Sequence, residues 1–205
     1  MEKKSKVGKR MYENKNEDQG EKEKPLKLEN QDMSFAKLIN VKSGSDISKC
    51  FQCFSCTGGC PFSEMMDINP NVVNRYVQFG LKKEVLECST IWICVGCNTC
   101  SYNCPQGVNI PAMMDTLRQM AIEEGAKIGE PDTLNFHNEV INSIEKYGRT
   151  HKLEIMMRYK VAKREWFQDM NVGVKMLLKS KLDLTPSKIR NKKDLKMIFK
   201  NGSKK

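Results

Sequence analysis

The sequence predicts an all-α protein whose metal-binding loops lie between helices. Three observations predict it. A run of four cysteines ending in proline occurs twice, with the second copy 44 positions after the first. Each run is followed by a helix start and then by apolar residues at helical spacing. No segment alternates apolar and polar residues as a half-buried strand would.

The elements follow in order. Residues 1–32 are rich in Lys, Glu, Asn and Asp and nearly free of large apolar side chains. Such a segment cannot bury enough surface to offset its chain entropy and reads as a disordered charged tail. Ser34 is placed to cap a short helix bearing Phe35, Leu38 and Ile39. Residues 43–49 (SGSDISK) lead into the first cysteine run. After it, Asn69-Pro70 puts a capping residue before a first-turn proline, ahead of Val72, Val73, Tyr76 and Val77. After the second run, Asn109 and Pro111 precede Met113, Met114, Leu117 and Ala121. Gly80 and Gly125 are suited to end these two helices. Between them, Leu81, Val85 and Leu86 point to a short helix, and Ile91, Trp92 and Val95 lead into the second run.

Beyond Pro131 the pattern stays helical. Asp132 is a candidate cap, and Phe136, Val140, Ile141, Ile144 and Tyr147 share a face that ends at Gly148. Residues 151–167 and 172–180 are helical in composition. Pro186 and Ser187 open a last amphipathic segment with Ile189, Leu195, Ile198 and Phe199. Three parts result: a tail over 1–32, a helical cluster-binding domain over 33–130, and a basic helical segment over 131–205 suited to docking a partner.

The formal net charge is +10, but its distribution is uneven. Residues 1–32 carry a net +1, residues 33–148 a net −3 and residues 149–205 a net +12. The basic character therefore belongs to the C-terminal quarter and not to the cysteine region. No apolar run approaches the ~18–20 residues that span a bilayer, and no secretory signal pattern opens the chain. A cytoplasmic location without membrane insertion is the expectation. In that compartment nine cysteines point to metal binding or redox chemistry instead of structural disulfides.

The two runs read CFQCFSCTGGCP and CVGCNTCSYNCP. Both fit the bacterial two-cluster ferredoxin spacing, C-x2-C-x2-C-x3-C-P. Three cysteines three residues apart in a tight loop can hold three iron corners of a cubane. The short spacers Gln52, Ser55, Gly96 and Thr99 let backbone amides approach the sulfides. In this pattern the fourth cysteine ligates the other cluster. The expected cofactors are therefore two 4Fe–4S clusters. The first takes Cys50, Cys53, Cys56 and Cys104; the second takes Cys94, Cys97, Cys100 and Cys60. Because that ligation ties the halves together, the apoprotein should be largely unfolded over residues 45–110. Eight cysteines could also make two four-thiolate zinc sites, but zinc sites use paired C-x2-C hairpins, for which a third cysteine three residues on is superfluous. Cys88 has no partner pattern and reads as a packing residue; His137 and His151, single histidines on expected helices, read as surface or packing residues. The chain has no G-x-G-x-x-G after a strand, no Walker loop and no nucleophile motif, so no catalytic residue is assigned.

The paired motifs, with STIWICVGC leading into the second and CPQGVNIPAMMDTLR following it, resemble the C subunit of heterodisulfide reductase over residues 34–150. The resemblance extends more loosely to Tyr147-Gly148-Arg149. The motif alone is shared with other helical ferredoxin domains, including the iron–sulfur subunits of succinate and glycerol-3-phosphate dehydrogenases. The resemblance implies an α-helical ferredoxin fold and a non-catalytic electron-transfer role in an oxidoreductase complex. It implies two partners: a flavin subunit bearing FAD and iron–sulfur clusters, and a cysteine-rich catalytic subunit that cleaves a disulfide. The Cys-Cys motifs of that catalytic subunit are absent here, so this chain is not a fused form. Other readings are an iron–sulfur subunit of a dehydrogenase-type complex or a freely diffusing ferredoxin. Against the latter stand Met156, Met157, Trp166 and Phe167 as a docking surface in the basic segment. A nucleic-acid role for that segment is not expected: no recognition motif is present, and two oxidised clusters with their thiolates lower the formal charge to about +6.

Overall fold

The computed structural model describes residues 31–163 and 191–202, together with Met176, Lys179 and Ile189. Residues 1–30 of the expected tail, most of the helix expected over 172–180, Pro186, Ser187, Trp166 and Phe167 lie outside the described residues. Among the described residues there is no strand; the elements are helices and single turns. They are α1 (Met33–Ser43), α2 (Ser55–Gly58), α3 (Pro70–Gln78), α4 (Lys82–Glu87) and α5 (Thr90–Ile93). There follow α6 (Thr99–Tyr102), α7 (Ile110–Glu123), α8 (Pro131–Tyr147), α9 (Lys152–Lys163) and α10 (Lys192–Gly202).

Local chemistry sets the helix ends. Asp32, not Ser34, caps α1: its carboxylate accepts the Ser34 N–H at 2.9 Å, and Ser34 lies inside the first turn. Both residue types can cap, and the Phe35–Ile39 spacing is compatible with either start. Pro70 opens α3 as expected, but the Asn69 side chain makes no capping bond there, whereas the Asn109 carboxamide accepts the Ala112 N–H at 3.2 Å. The ends of α3 and α7 are alike. Gly80 and Gly125 take φ of +70° and +65°. Gly80 N–H donates to Val77 and Leu81 N–H to Tyr76, both at 3.0 Å. Gly125 and Ala126 repeat the arrangement toward Ile122 and Ala121. This is the Schellman closure, which satisfies carbonyls that the helix leaves unpaired. At α8 the expected cap is displaced. Glu130 holds the cap position without a side-chain bond, Pro131 opens the helix, and Asp132 sits within its first turn.

The central helix is α7, which packs against α1, α4 and α5; α3 in turn packs on α1 and α4. Their buried faces meet in one core of Phe35, Ile39, Ile47, Val73, Val77, Val85, Ile91, Trp92, Met113, Met114, Leu117 and Met120. The cysteine runs lie at its edge. Helices α8, α9 and α10 form an outer layer, with α8 contacting α5, α9 and α10. The apolar stripe expected on α8 is only partly covered: Phe136 and Ile141 are exposed, while Ser143 is buried. The Ser143 hydroxyl accepts the His151 N–H at 2.9 Å and so ties α8 to the start of α9. Phe136 meets Tyr159 of α9 edge-on, with centroids 5.9 Å apart.

Candidate metal centre

The two cysteine runs have the same backbone. Each first cysteine leaves a short helical turn in an extended conformation, Cys50 at φ −68°, ψ 118° and Cys94 at φ −62°, ψ 115°. Two residues on, Gln52 and Gly96 have φ of +62° and +65°. Two further on, Phe54 and Asn98 have φ of +66° and +62° with ψ of 0°. A single helical turn follows, α2 or α6, bearing the third cysteine. The second run meets these left-handed positions with Gly and Asn, which tolerate them. The first run places Gln and Phe there, at about 1–2 kcal/mol each.

What holds Gln52 is a set of bonds to α3. Its amide nitrogen donates to the Asn71 carbonyl at 3.1 Å and to Cys50 Sγ at 3.5 Å. Its oxygen accepts from Asn71 Nδ2 at 3.1 Å. The Asn71 backbone carbonyl can only accept, so the nitrogen of Gln52 must face it. Thr57 of α2 donates to Asn71 Oδ1 at 2.6 Å. Asn71 thus fixes the first loop from two sides.

In each run the first, third and fourth cysteines are buried or half-buried, and the second, Cys53 or Cys97, is exposed. The exposed sulfurs have matching neighbours: Cys53 Sγ lies 3.4 Å from the Ser55 hydroxyl, and Cys97 Sγ lies 3.5 Å from the Thr99 hydroxyl. These hydroxyls, helped by backbone N–H groups, draw both thiols below the usual cysteine range. Burial pushes the Cys56 and Cys94 thiols up. Burial, reinforced by the charge of Cys94, pushes Cys100 up to about 11. Bringing such sulfurs together as thiolates therefore requires a positively charged centre between them.

The structure collects Cys60 from the first run with Cys94, Cys97 and Cys100 from the second. All four line one cavity, walled by Phe62, Met66, Pro70, Ile110, Pro111 and Met114. The charge of Cys60 acts on Cys94, and that of Cys56 acts on Cys100, so the two sets of sulfurs adjoin. The turns that carry them also touch: Gly59, just before Cys60, faces Asn103, just before Cys104, so closely that a Cβ there would lie 2.8 Å from Asn103 Nδ2 and push that side chain aside. In the first run the charge of Cys50 acts on Cys56. Cys104 Sγ accepts the Val108 N–H at 3.4 Å. Four soft thiolates around a mostly apolar cavity, with N–H and O–H donors aimed at sulfur, fit an iron–sulfur cubane.

Comparison with known proteins accords with this donor set. Residues 46–108 match the 4Fe-4S dicluster domain family. The chain resembles the C subunit of heterodisulfide reductase. It is 32% identical over 96 residues to the C subunit of the H(2):CoB-CoM heterodisulfide,ferredoxin reductase of Methanothermobacter marburgensis, covering 47% of this chain and 52% of that one. It is 40% identical over 86 residues to the iron-sulfur C 2 subunit of the CoB–CoM heterodisulfide reductase of Methanocaldococcus jannaschii, covering 40% and 46%. To the iron-sulfur C subunit of the same kind of reductase from Methanopyrus kandleri it is 34% identical over 79 residues, covering 38% and 41%. The chain spans about half the length of the curated relatives it matches. Its cofactor is the 4Fe–4S cluster, and the dicluster pattern accords with two of them.

Two residues with a part in the site escape a reading by motif. Asn71 looks like an ordinary polar helix residue. Asp67 lies between the runs and reaches forward: its carboxylate accepts N–H bonds from Ser89 at 2.8 Å and Thr90 at 3.0 Å and the Thr90 hydroxyl at 2.7 Å. It therefore ties the exit of the first run to the start of α5, which delivers Cys94. Partial desolvation works to raise its pKa, but the bonds from Thr90, Ser89 and Ile68 hold it below the ordinary carboxylate value. Cys88 is buried and donates its S–H to the Val85 carbonyl at 3.1 Å, as a packing cysteine would. His137 is exposed; His151 accepts the Glu154 N–H at 3.3 Å at the start of α9.

Proposed function

We propose that this chain is the electron-relay subunit of a cytoplasmic heterodisulfide reductase-like complex, with an α-helical ferredoxin domain over residues 33–130. In this reading Cys50, Cys53, Cys56 and Cys104 ligate one 4Fe–4S cluster, and Cys94, Cys97, Cys100 and Cys60 ligate the other. One observation carries it: the fourth cysteine of the first run shares a cavity with the first three of the second. When bound, the clusters supply reversible one-electron storage. The chain's own residues hold them side by side, bury one face of each and leave Cys53 and Cys97 at the surface as contacts for electron exchange.

A relay needs partners at both ends. The relatives are named for heterodisulfide reductases, which supports a flavin- and cluster-bearing subunit as one partner and a cysteine-rich catalytic subunit as the other. Exposed apolar side chains beside the cysteines, Phe51, Phe54, Val95 and Tyr102, favour stable docking over free diffusion. So do Met156 and Met157 of α9 and Met197 and Ile198 of α10 in the basic C-terminal segment. Among the described residues no helix is long and apolar enough to cross a membrane. Anaerobic purification of the native protein tests the proposal. Co-eluting flavin-bearing and cysteine-rich subunits, with about eight irons and eight sulfides per chain, are expected. A monomeric holoprotein in extract overturns the complex; zinc, or four irons, overturns the cluster assignment.

A further inference from the structure

One face of α3 addresses the first cysteine loop. Asn71 binds Gln52 and Thr57 there. Seven residues on, the Gln78 carboxamide donates to the carbonyls of Ile47 at 2.9 Å and Cys50 at 3.4 Å. Asn74 lies three residues after Asn71 and four before Gln78, so it shares their face. It is completely buried (0% exposed), and neither its Nδ2 nor its Oδ1 has a hydrogen-bond partner. A buried amide left unpaired loses the hydrogen bonds it had in water and gains none in return. Its Nδ2–H groups call for an acceptor on the side of the first loop, and thiolates and sulfides are acceptors.

The second loop's wall is mainly α7, and α3 reaches it only through its first residue, Pro70. Its cavity is lined by Ile110, Pro111 and Met114 of α7, with Phe62, Met66 and Pro70, and no side-chain amide. At the position of Gln52, which donates to Cys50 Sγ, the second loop has Gly96 and no side chain. One pair of donors is matched between the loops. Each loop has one exposed cysteine and one hydroxyl beside it. The charges that act on Cys94 include those of Arg118 and Asp115, which pair with each other.

We propose that Asn74 and Gln52 donate hydrogen bonds to the sulfur atoms of the first loop's cluster and set its potential above that of the second. The inference deepens the two-cluster reading and rests on it. Donors to sulfur stabilise the reduced cluster, which carries one more negative charge, and so raise its potential. One electron then passes downhill from the second cluster to the first: the second is oxidised, the first reduced, and no proton or bond changes. The donor, a reduced flavin or iron–sulfur centre, meets the chain at Cys97, and the acceptor, an oxidised cluster of the catalytic subunit, meets it at Cys53.

The test is an anaerobic potentiometric titration of the holoprotein followed by electron paramagnetic resonance. Wild type is compared with Asn74→Leu and Gln52→Gly, the latter suited to the positive φ that Gly96 already adopts in the repeat. Wild type should give two one-electron waves. In each variant that retains about eight irons, the upper wave should move down by roughly tenfold in the one-electron equilibrium, about 59 mV, with the lower wave fixed. An upper wave that stays in place in both variants, or a lower wave that moves instead, overturns the inference; the former would leave Asn74 bonded to a buried water. A wild-type holoprotein with a single cluster signal overturns the two-cluster reading itself.

Discussion

Gly80 carries two constraints at once, and its counterpart Gly125 carries one. Both end helices with positive φ. A Cβ on Gly125 meets open space, whereas on Gly80 it collides with the Asp32 carbonyl group. Asp32 N–H also donates to the Gly80 carbonyl at 3.1 Å. Alanine at Gly125 should cost the left-handed strain of about 1–2 kcal/mol, less roughly 0.4–1 kcal/mol from the stiffer unfolded chain, a net of about 1 kcal/mol. Alanine at Gly80 must also displace the Asp32 backbone. That sacrifices a hydrogen bond worth about 1 kcal/mol and disturbs the α1 cap, worth about another 1 kcal/mol, for a total of about 3 kcal/mol. At roughly 2–4 °C per kcal/mol for a chain of this size, Gly80→Ala should melt about 6–12 °C below wild type and Gly125→Ala about 2–4 °C below. Far-ultraviolet circular dichroism of the anaerobic holoproteins reads both. Equal melting of the two variants would refute the close approach of Asp32 to Gly80.

Other outcomes follow from the same contacts. Asp67→Asn replaces a carboxylate that accepts three bonds from Ser89 and Thr90 and should cost about 1–3 kcal/mol in urea titrations. The folded-state pKa of Asp67 is depressed, so its contribution is complete above the unfolded value of ~3.9 and fades only as pH falls through the folded one; the deficit of Asp67→Asn should be constant from pH 8 to about pH 5. Ser55→Ala and Thr99→Val each remove the hydroxyl beside an exposed cysteine sulfur, and each should lower one cluster potential, a different one in each variant, in a potentiometric titration. Cys88→Ala should keep full iron content and lose about 1 kcal/mol of stability. In the wild-type holoprotein burial raises that thiol to about 11, so Cys88 should resist alkylation at pH 8.

The cysteine repeat was legible because cluster chemistry dictates ligand spacing, and the identical backbone at Gln52/Gly96 and Phe54/Asn98 carries that repeat into three dimensions. The terminators Gly80 and Gly125 were legible for a comparable reason: a Schellman closure needs positive φ. The start of α1 was not, because Asp32 and Ser34 are both capping residues two positions apart. Nor was the cover on α8. An apolar stripe specifies a face that can be buried but not how much of it a neighbour reaches, and Phe136 and Ile141 remain exposed. Asp67, Asn71 and Asn74 were hidden most completely. Asp67 acts on residues 22 and 23 positions away, and Asn71 departs from the apolar periodicity of its helix because it faces a polar loop.

Ligand variants grouped by spectrum test crossed ligation most directly. In the reduced protein, Cys60→Ser and Cys97→Ser should alter the same electron paramagnetic resonance signal, while Cys104→Ser and Cys53→Ser alter the other. If Cys60→Ser instead changes the signal that Cys53→Ser changes, each run holds its own cluster, and the shared cavity of Cys60 with Cys94, Cys97 and Cys100 does not describe the metal site.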